Sequence, residues 1–186
     1  MDPKSTPLGD VSEDPDSLGF TLTHASGLVI DIAMDCAEWQ SVFTREIHDQ
    51  CADMLADTVG HEGYDAISIA ILLTDDDTVA TLNTTHRGKD GPTDVLSFPD
   101  DDDDCLGDIA VAYGVVQRQA AEMGITVSDH VLHLLVHGTL HLCGHDHSDA
   151  DEADVMEDIE IAILAKHGMA NPYTLHHDSS AERGGV

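Results

Sequence analysis

The segment from His137 to His147, His-Gly-Thr-Leu-His-Leu-Cys-Gly-His-Asp-His, constrains the fold more than any other part of the chain. His137 and His141 are four residues apart, so on an α-helix both imidazoles lie on one face, about 6 Å apart along the axis. Gly144 can then adopt the positive φ with which many helices end and the chain reverses. The segment therefore predicts a helix and a turn that return His147 to the first two histidines, around one cation.

Three histidine ligands leave one position of a tetrahedral ion open, which is typical of a catalytic zinc, whereas a structural zinc usually has four protein ligands. Cys143 follows His141 on a different side of the helix and is poorly placed as a fourth ligand. Six of the 13 histidines lie between His130 and His147, which argues against chance clustering of core or surface histidines. We predict one zinc ion per chain, although imidazole also suits nickel and cobalt.

Two further histidines compete for the third ligand position. His133 shares the face of His137 but lies about 12 Å along the axis from His141, so we expect it to orient a ligand or to face the substrate. His145 follows Gly144 directly and has little chain with which to return. His147 is therefore the preferred third ligand.

The same ligand spacing occurs in the metzincin proteases, so we expect a zincin-like metal-site helix. In those enzymes a glutamate follows the first histidine and acts as the general base. Here Gly138 holds that position, so another group must move protons or orient the substrate. Asp146 is the nearest carboxylate in sequence and is our candidate for this catalytic role. Its alternative role is a hydrogen bond to a ligand histidine.

Periodicity along the rest of the chain predicts an α+β fold, in which a small mixed β-sheet packs with helices. Strands are expected at residues 28–33, 66–73, 94–98 and 107–112. Helices are expected at residues 39–59, 75–85, 115–123 and 149–167 and in the histidine segment. Expected helix caps are Thr74 for the second helix and Ser128 or Asp129 for the histidine helix. The apolar side of the last helix consists of Val155, Ile159, Ile163 and Leu164.

The organisation of the chain predicts a single domain at residues 19–175. It lies between a disordered segment, residues 1–18, and a polar tail, residues 176–186. The longest apolar stretch is far too short to cross a bilayer, and the first residues lack the pattern of a secretory signal. The four scattered cysteines fit reduced thiols. We therefore expect a cytoplasmic protein without a membrane partner.

The charge is strongly acidic, with 37 Asp and Glu against 7 Lys and Arg and a formal net charge of -30. Such a charge repels polyanions and destabilises the compact state in dilute salt. We hypothesise adaptation to a salt-rich cytoplasm, where a Debye length of about 3 Å at 1 M screens the repulsion. The alternative is a protein that avoids nucleic acid. The run from Asp100 to Asp104 is typical of a solvated loop.

Arg87 and Lys89 are an exception in this acidic chain, on a loop that contains glycine and proline. An arginine beside a metal could hold a phosphate through two parallel hydrogen bonds. Its alternative role is that of a helix-terminal cation that faces the helix dipole. Asp90 and Asp94 are expected to pair with these cations or to cap the loop.

Three segments, in this order and spacing, resemble the bacterial endoribonuclease YbeY family, the rRNA maturation factors. They are residues 82–99, 106–111 and 137–147, within a resemblance that spans roughly residues 28–173. The resemblance implies a zinc-dependent hydrolase of single-stranded RNA that acts in 16S rRNA 3′-end maturation and ribosome quality control. Its implied partners are single-stranded RNA, rRNA and the small ribosomal subunit.

The same resemblance implies that His137, His141 and His147 are the metal ligands and that Arg87 is the functionally important arginine. We expect Arg87 to act in catalysis and to bind the substrate, and Lys89 to help position the RNA backbone. Two other functions stay open. A metallohydrolase of peptides or small substrates shares the ligand spacing but lacks the glutamate. A zinc-stabilised factor that docks on the ribosome would need no chemistry.

Overall fold

The computed structural model of the chain describes residues 19–64, 67–101, 104–147 and 149–176. Within these residues, five strands form one sheet in the order β1-β2-β3-β5-β4. The strands are β1 (Gly19–Thr23), β2 (Val29–Met34), β3 (Ser68–Thr74), β4 (Val95–Pro99) and β5 (Cys105–Ala112). The helices are α1 (Glu38–Val42), α2 (Arg45–His61), α3 (Asp76–Arg87), α4 (Tyr113–Met123), α5 (Val127–Leu142) and α6 (Ala150–Lys166), and a 3-10 turn covers Pro172–His176.

The sheet is mixed, which confirms the predicted α+β class. β2, β3 and β5 run parallel in the centre, and β1 and β4 pair antiparallel at the two edges. The aspartate run connects β4 to β5, and its described residues form a loop as predicted, while Asp102 and Asp103 lie outside the described residues. The predicted disordered segment and residues 177–186 of the predicted tail also lie outside them, so the domain bounds stay a prediction.

The histidine helix α5 is the centre of the packing. It contacts β4 and β5 on one side and α2, α4 and α6 on the others. Its apolar side chains Val131, Leu132, Leu135 and Leu140 are at most 1% exposed, and burial of each stabilises the fold by about 1.5–3 kcal/mol. A smaller apolar cluster under α3 covers part of the opposite face of the sheet. The first two histidines of the metal-site segment therefore lie on the most firmly packed helix of the described part of the chain.

The predicted helix at residues 39–59 is wrong in one respect, because the chain forms two helices there. Trp39 is fully buried, and its indole N–H donates to the carbonyl oxygen of Thr74 at 3.0 Å. Phe43 is also buried and leaves the helical conformation, with φ −90° and ψ 67°. Thr44 is extended and begins α2. Two buried aromatic anchors thus redirect the chain where its periodicity alone predicts a continuous helix.

Both predicted helix caps are wrong by one to three residues. Thr74 is the last residue of β3, and Asp75 caps α3 instead, since its carboxylate accepts from the backbone N–H of Thr78 at 2.8 Å. Thr126 caps α5 by accepting from the backbone N–H of Asp129 at 3.0 Å. In each case the capping residue has an extended backbone, as an N-cap requires, and its side chain accepts from the first turn of the helix.

Two more predictions need correction. The short strand β1 is absent from the predicted strands, because its apolar and polar residues alternate over only five positions. Val155 does not belong to the buried side of α6, since it is 54% exposed. That side consists instead of Met156, Glu160, Ile163 and Leu164.

The four cysteines are free thiols, as expected. No helix among the described residues combines the length and the apolar character that a membrane crossing would need.

Candidate metal centre

His137, His141 and His147 converge in one cluster. One ring nitrogen of each lies within 4.8 Å of the others, and the Nε2 atoms of His137 and His141 are 3.1 Å apart. A tetrahedral zinc at 2.0–2.1 Å from both atoms would hold them about 3.3 Å apart. The spacing of this pair therefore fits one shared ion.

The other ring nitrogen of each helical histidine shows which atom faces the ion. Nδ1 of His137 donates to the Glu160 carboxylate at 2.7 Å, and Nδ1 of His141 donates to the carbonyl oxygen of His145 at 2.8 Å. Because both partners only accept, both protons lie on Nδ1 and both Nε2 atoms carry lone pairs. Two lone pairs that face each other at this distance repel unless a cation lies between them. The hydrogen-bond network thus favours a metal at this point.

Gly144 reverses the chain after α5, as predicted, with φ of +95°. Its backbone N–H and that of His145 donate to carbonyl oxygens of the last helical turn, at 3.1 and 3.0 Å. The His145 ring turns away from the cluster and pairs with Glu62 at 3.0 Å. Asp146 accepts from the backbone N–H of His147 at 2.8 Å. These contacts position His147 opposite α5, with its ring centroid 4.9 Å from that of His141.

The cluster is open towards solvent on the side of His147. The rings of His137 and His141 are partly buried, whereas His147 is exposed. Among the described residues, the group of mutually close ligand atoms consists of these three histidines. Cys143 is outside it, and burial raises the pKa of its thiol to about 12, which keeps it protonated. Burial, together with the charge of His137, lowers the pKa of His141 and favours the neutral form that binds metals.

Glu160 is the site residue that sequence reasoning missed. It is fully buried and accepts from His137, from His133 at 2.8 Å and from the Tyr173 hydroxyl at 2.5 Å. Burial alone would raise the pKa of this carboxyl, but the hydrogen bonds outweigh it and lower the pKa to about 2. The signal was present in the sequence, because a glutamate at the spacing of Met156 and Ile163 lies on the buried side of α6, where a charge needs partners.

Gly138 shows why no glutamate follows the first histidine. A Cβ atom at this position would lie 3.0 Å from the Ser97 hydroxyl and 3.2 Å from the Ile109 side chain. The residue after His137 therefore faces the sheet at close approach. A larger side chain there would separate α5 from β4 and β5.

Arg87 is the last residue of α3, before Gly88 with φ of +64°. Its side chain is exposed, and Nη2 donates to the carbonyl oxygen of Ser97 at 3.3 Å. The Ser97 hydroxyl donates in turn to the carbonyl oxygen of Gly138 at 3.1 Å. Arg87 is thus connected through one residue to the helix that carries His137. Its position at the end of α3 fits the helix-terminal cation, and the phosphate role stays a prediction.

Of the two roles left open for Asp94, the structure shows the loop cap and not the pairing with these cations. Asp94 accepts from the Gln119 side chain at 3.0 Å and, within its own loop, from the Val95 backbone and the Thr93 hydroxyl. Burial raises the pKa of Asp94, but these bonds outweigh it and lower the pKa. Lys89 is exposed in the loop beyond α3.

Comparison with known proteins relates the chain to one family. Residues 33–168 match the family described as Endoribonuclease YbeY. The chain is 41% identical over 174 residues to Endoribonuclease YbeY of Rhodopseudomonas palustris, which covers 86% of this chain and 88% of that protein. It is 53% identical over 107 residues to Endoribonuclease YbeY of Maricaulis maris, which covers 56% of this chain and 67% of that protein.

The fold is also similar to the solution structure of TM1509 from Thermotoga maritima. The TM-score is 0.51 at 24% identity, over 84% of this chain and 99% of that one. The extent of the family match and of the sequence identity leads to one conclusion: the chain belongs to the endoribonuclease YbeY family.

Proposed function

We propose that the chain is a zinc-dependent endoribonuclease that cleaves single-stranded RNA. The observation that carries the proposal is the three-histidine cluster with its solvent-facing side, in a chain of the YbeY family. His137, His141 and His147 are the proposed ligands of one zinc ion per chain. When bound, such an ion lowers the pKa of a water molecule towards neutrality and polarises a phosphate oxygen.

The residues around the cluster supply what the ion does not. One N–H of Arg87 donates to the Ser97 carbonyl oxygen. In the proposed complex, the remaining guanidinium N–H groups donate to a phosphate. Its charge then stabilises the negative charge that develops on the phosphate oxygens. Lys89 holds a neighbouring phosphate. Asp146, next to His147 in an exposed loop, is the proposed proton acceptor, and its bond to the His147 backbone keeps it beside the cluster.

The proposed biological role follows the family. The substrate is rRNA, the process is 16S rRNA 3′-end maturation and ribosome quality control, and the partner is the small ribosomal subunit in the cytoplasm. A net charge of -30 opposes general binding of RNA. The contact with RNA is therefore local, and it depends on Arg87 and Lys89 and on salt that screens the acidic surface.

The test compares RNA cleavage with peptide cleavage by zinc-loaded protein. We expect cleavage of single-stranded RNA and none of a peptide panel, because Gly138 replaces the base on which metzincin proteases depend. Arg87→Ala should lower the rate of RNA cleavage by at least about 100-fold and keep zinc. Arg45→Ala, an exposed arginine on α2, is the matched control.

Three results would contradict parts of the proposal. Cleavage of peptides but not RNA would favour the metallohydrolase. Normal RNA cleavage by Arg87→Ala would remove the phosphate role of this residue. A His141→Ala protein that binds no zinc and still restores ribosome maturation in cells would favour a factor without catalytic activity.

A further inference from the structure

A cavity of about 690 Å³ adjoins the metal centre. It lies between α4, α5 and the turn at Pro172–His176, and His137 belongs both to its wall and to the metal cluster. Cavities of about 300–1,000 Å³ are typical of small-molecule sites. A group that enters this cavity therefore lies next to whatever the metal centre binds.

One wall of the cavity carries a hydrogen-bond chain with a fixed direction. The Asp94 carboxylate only accepts, so the Gln119 amide nitrogen faces it at 3.0 Å. The Gln119 oxygen then faces Nε2 of His130 at 2.7 Å, and that nitrogen must carry the proton. Burial lowers the pKa of His130 to about 4, which agrees with a neutral ring. One amide hydrogen of Gln119 remains for a ligand.

The wall also holds acceptors that lack donors. Nε2 of His133 donates to Glu160, so its Nδ1 is an acceptor, as is Nδ1 of His130. Among the described residues, neither Nδ1 atom has a hydrogen-bond partner, and both are buried. The Glu122 carboxylate stands at the exposed rim. Because both Nδ1 atoms are buried, the acceptor that a ligand reaches is the Glu122 carboxylate, and the donor is the Gln119 amide.

The charge and the apolar surface select which part of an RNA enters. Asp94 and Glu122 repel a phosphate, so the uncharged base is the part that fits. Leu134, Met123 and the Tyr173 ring provide the apolar and aromatic surface on which bases pack.

We propose that this cavity is a nucleobase subsite, which receives a base next to the scissile phosphate. The proposal rests on the proposed function and names the substrate feature that the same site reads. The preferred bases are adenine and cytosine, whose Watson–Crick edges place an amino donor beside a ring-nitrogen acceptor. Uracil presents the inverse pattern. Gln119 is the specificity-determining residue, because it supplies the donor and orients its neighbours.

The first test uses uncharged probes that cannot be cleaved. Adenosine, cytidine and uridine are titrated into the zinc-loaded protein, and binding is followed by NMR, including the Gln119 side-chain amide. We expect adenosine and cytidine to bind about tenfold more tightly than uridine. Gln119→Leu should reduce this preference to about twofold or less, whereas Gln117→Leu, on the exposed side of the same helix, should keep it. Glu122→Gln, at the rim, should reduce the preference without a loss of folding.

Equal binding of the three nucleosides, or a preference that survives both Gln119→Leu and Glu122→Gln, would overturn the subsite. The second test measures cleavage of short oligo(A), oligo(C) and oligo(U), with kcat/KM about tenfold lower for oligo(U). If all three are cleaved equally, the subsite is wrong and the nuclease proposal stands. If none is cleaved while the nucleosides bind with the expected preference, the nuclease proposal is wrong and the base site stands.

Discussion

Substitution of Glu160 with glutamine tests whether the buried carboxylate positions the metal ligands. Glu160 accepts three hydrogen bonds, from His137, His133 and Tyr173. A glutamine has nearly the same shape but keeps one acceptor oxygen and brings an NH2 group. If the NH2 group faces His137, this ring must move its proton to Nε2 and lose the lone pair that binds the ion. If it faces His133, that ring and Tyr173 lose their acceptor.

The expected size of the effect follows from these contacts. A buried donor left without its acceptor costs about 1–3 kcal/mol of unfolding free energy. A partner that orients a metal-bound histidine typically contributes about 10–100-fold in metal affinity. The carboxyl pKa of about 2, against an ordinary 4.5, corresponds to about 3 kcal/mol of stabilisation by the charged form. Because the folded-state pKa is lowered, this stabilisation is present above pH 4.5 and is lost as the pH falls towards 2.

The assay is competition for zinc with a chromophoric chelator, combined with urea unfolding of the metal-free protein. Asp158→Asn, an exposed carboxylate on the same helix, is the control for loss of one charge. We expect Glu160→Gln to bind zinc at least about tenfold more weakly, and Asp158→Asn to bind it normally. Equal zinc affinity of Glu160→Gln and the unaltered protein would refute the positioning role.

Three other predictions concern stability. Gly138→Ala should lower the unfolding free energy by about 1–3 kcal/mol in urea through contact with Ser97 and Ile109. Gly60→Ala, in open space on α2, should raise the unfolding free energy by up to about 1 kcal/mol. A Gly138→Ala protein more stable than the Gly60→Ala protein would contradict the packing argument. His130 has a folded-state pKa of about 4 against 6.5, so the unfolded chain binds the extra proton between these values. The unfolding free energy should fall by up to about 3 kcal/mol as the pH drops through this window. Urea unfolding at several pH values checks this, and a His130→Gln protein with the same pH dependence as the unaltered protein would contradict it. Potassium chloride raised from about 0.1 to 1 M shortens the Debye length from about 10 to 3 Å. The melting temperature should therefore rise, and an unchanged value would argue against high-salt adaptation.

The metal-site segment could be predicted from the sequence because its determinants are local. The spacing of His137 and His141 depends only on the helical repeat, and the turn at Gly144 depends on one residue of positive φ. Apart from β1 and the break between α1 and α2, the other strands and helices follow from periodicity for the same reason, with ends that shift by one or two residues.

The contacts that complete the site come from distant parts of the chain. Glu160 reaches His137 from another helix, and Arg87 is joined to α5 through Ser97 of β4. The break at Phe43 likewise depends on burial of two aromatic side chains against the rest of the core. The periodicity of α6 places Glu160 on its buried side, but the partners of these side chains depend on how helices and strands pack.

Zinc content and RNA cleavage, measured on one sample, test whether the three-histidine cluster holds the zinc on which cleavage depends. We predict one zinc ion per chain, loss of single-stranded RNA cleavage after chelation and recovery when zinc is restored. His147→Ala, which removes the ligand of the return loop, should lose both zinc and cleavage. A chelated protein that cleaves RNA at the original rate, or a His147→Ala protein that keeps zinc and activity, would contradict it.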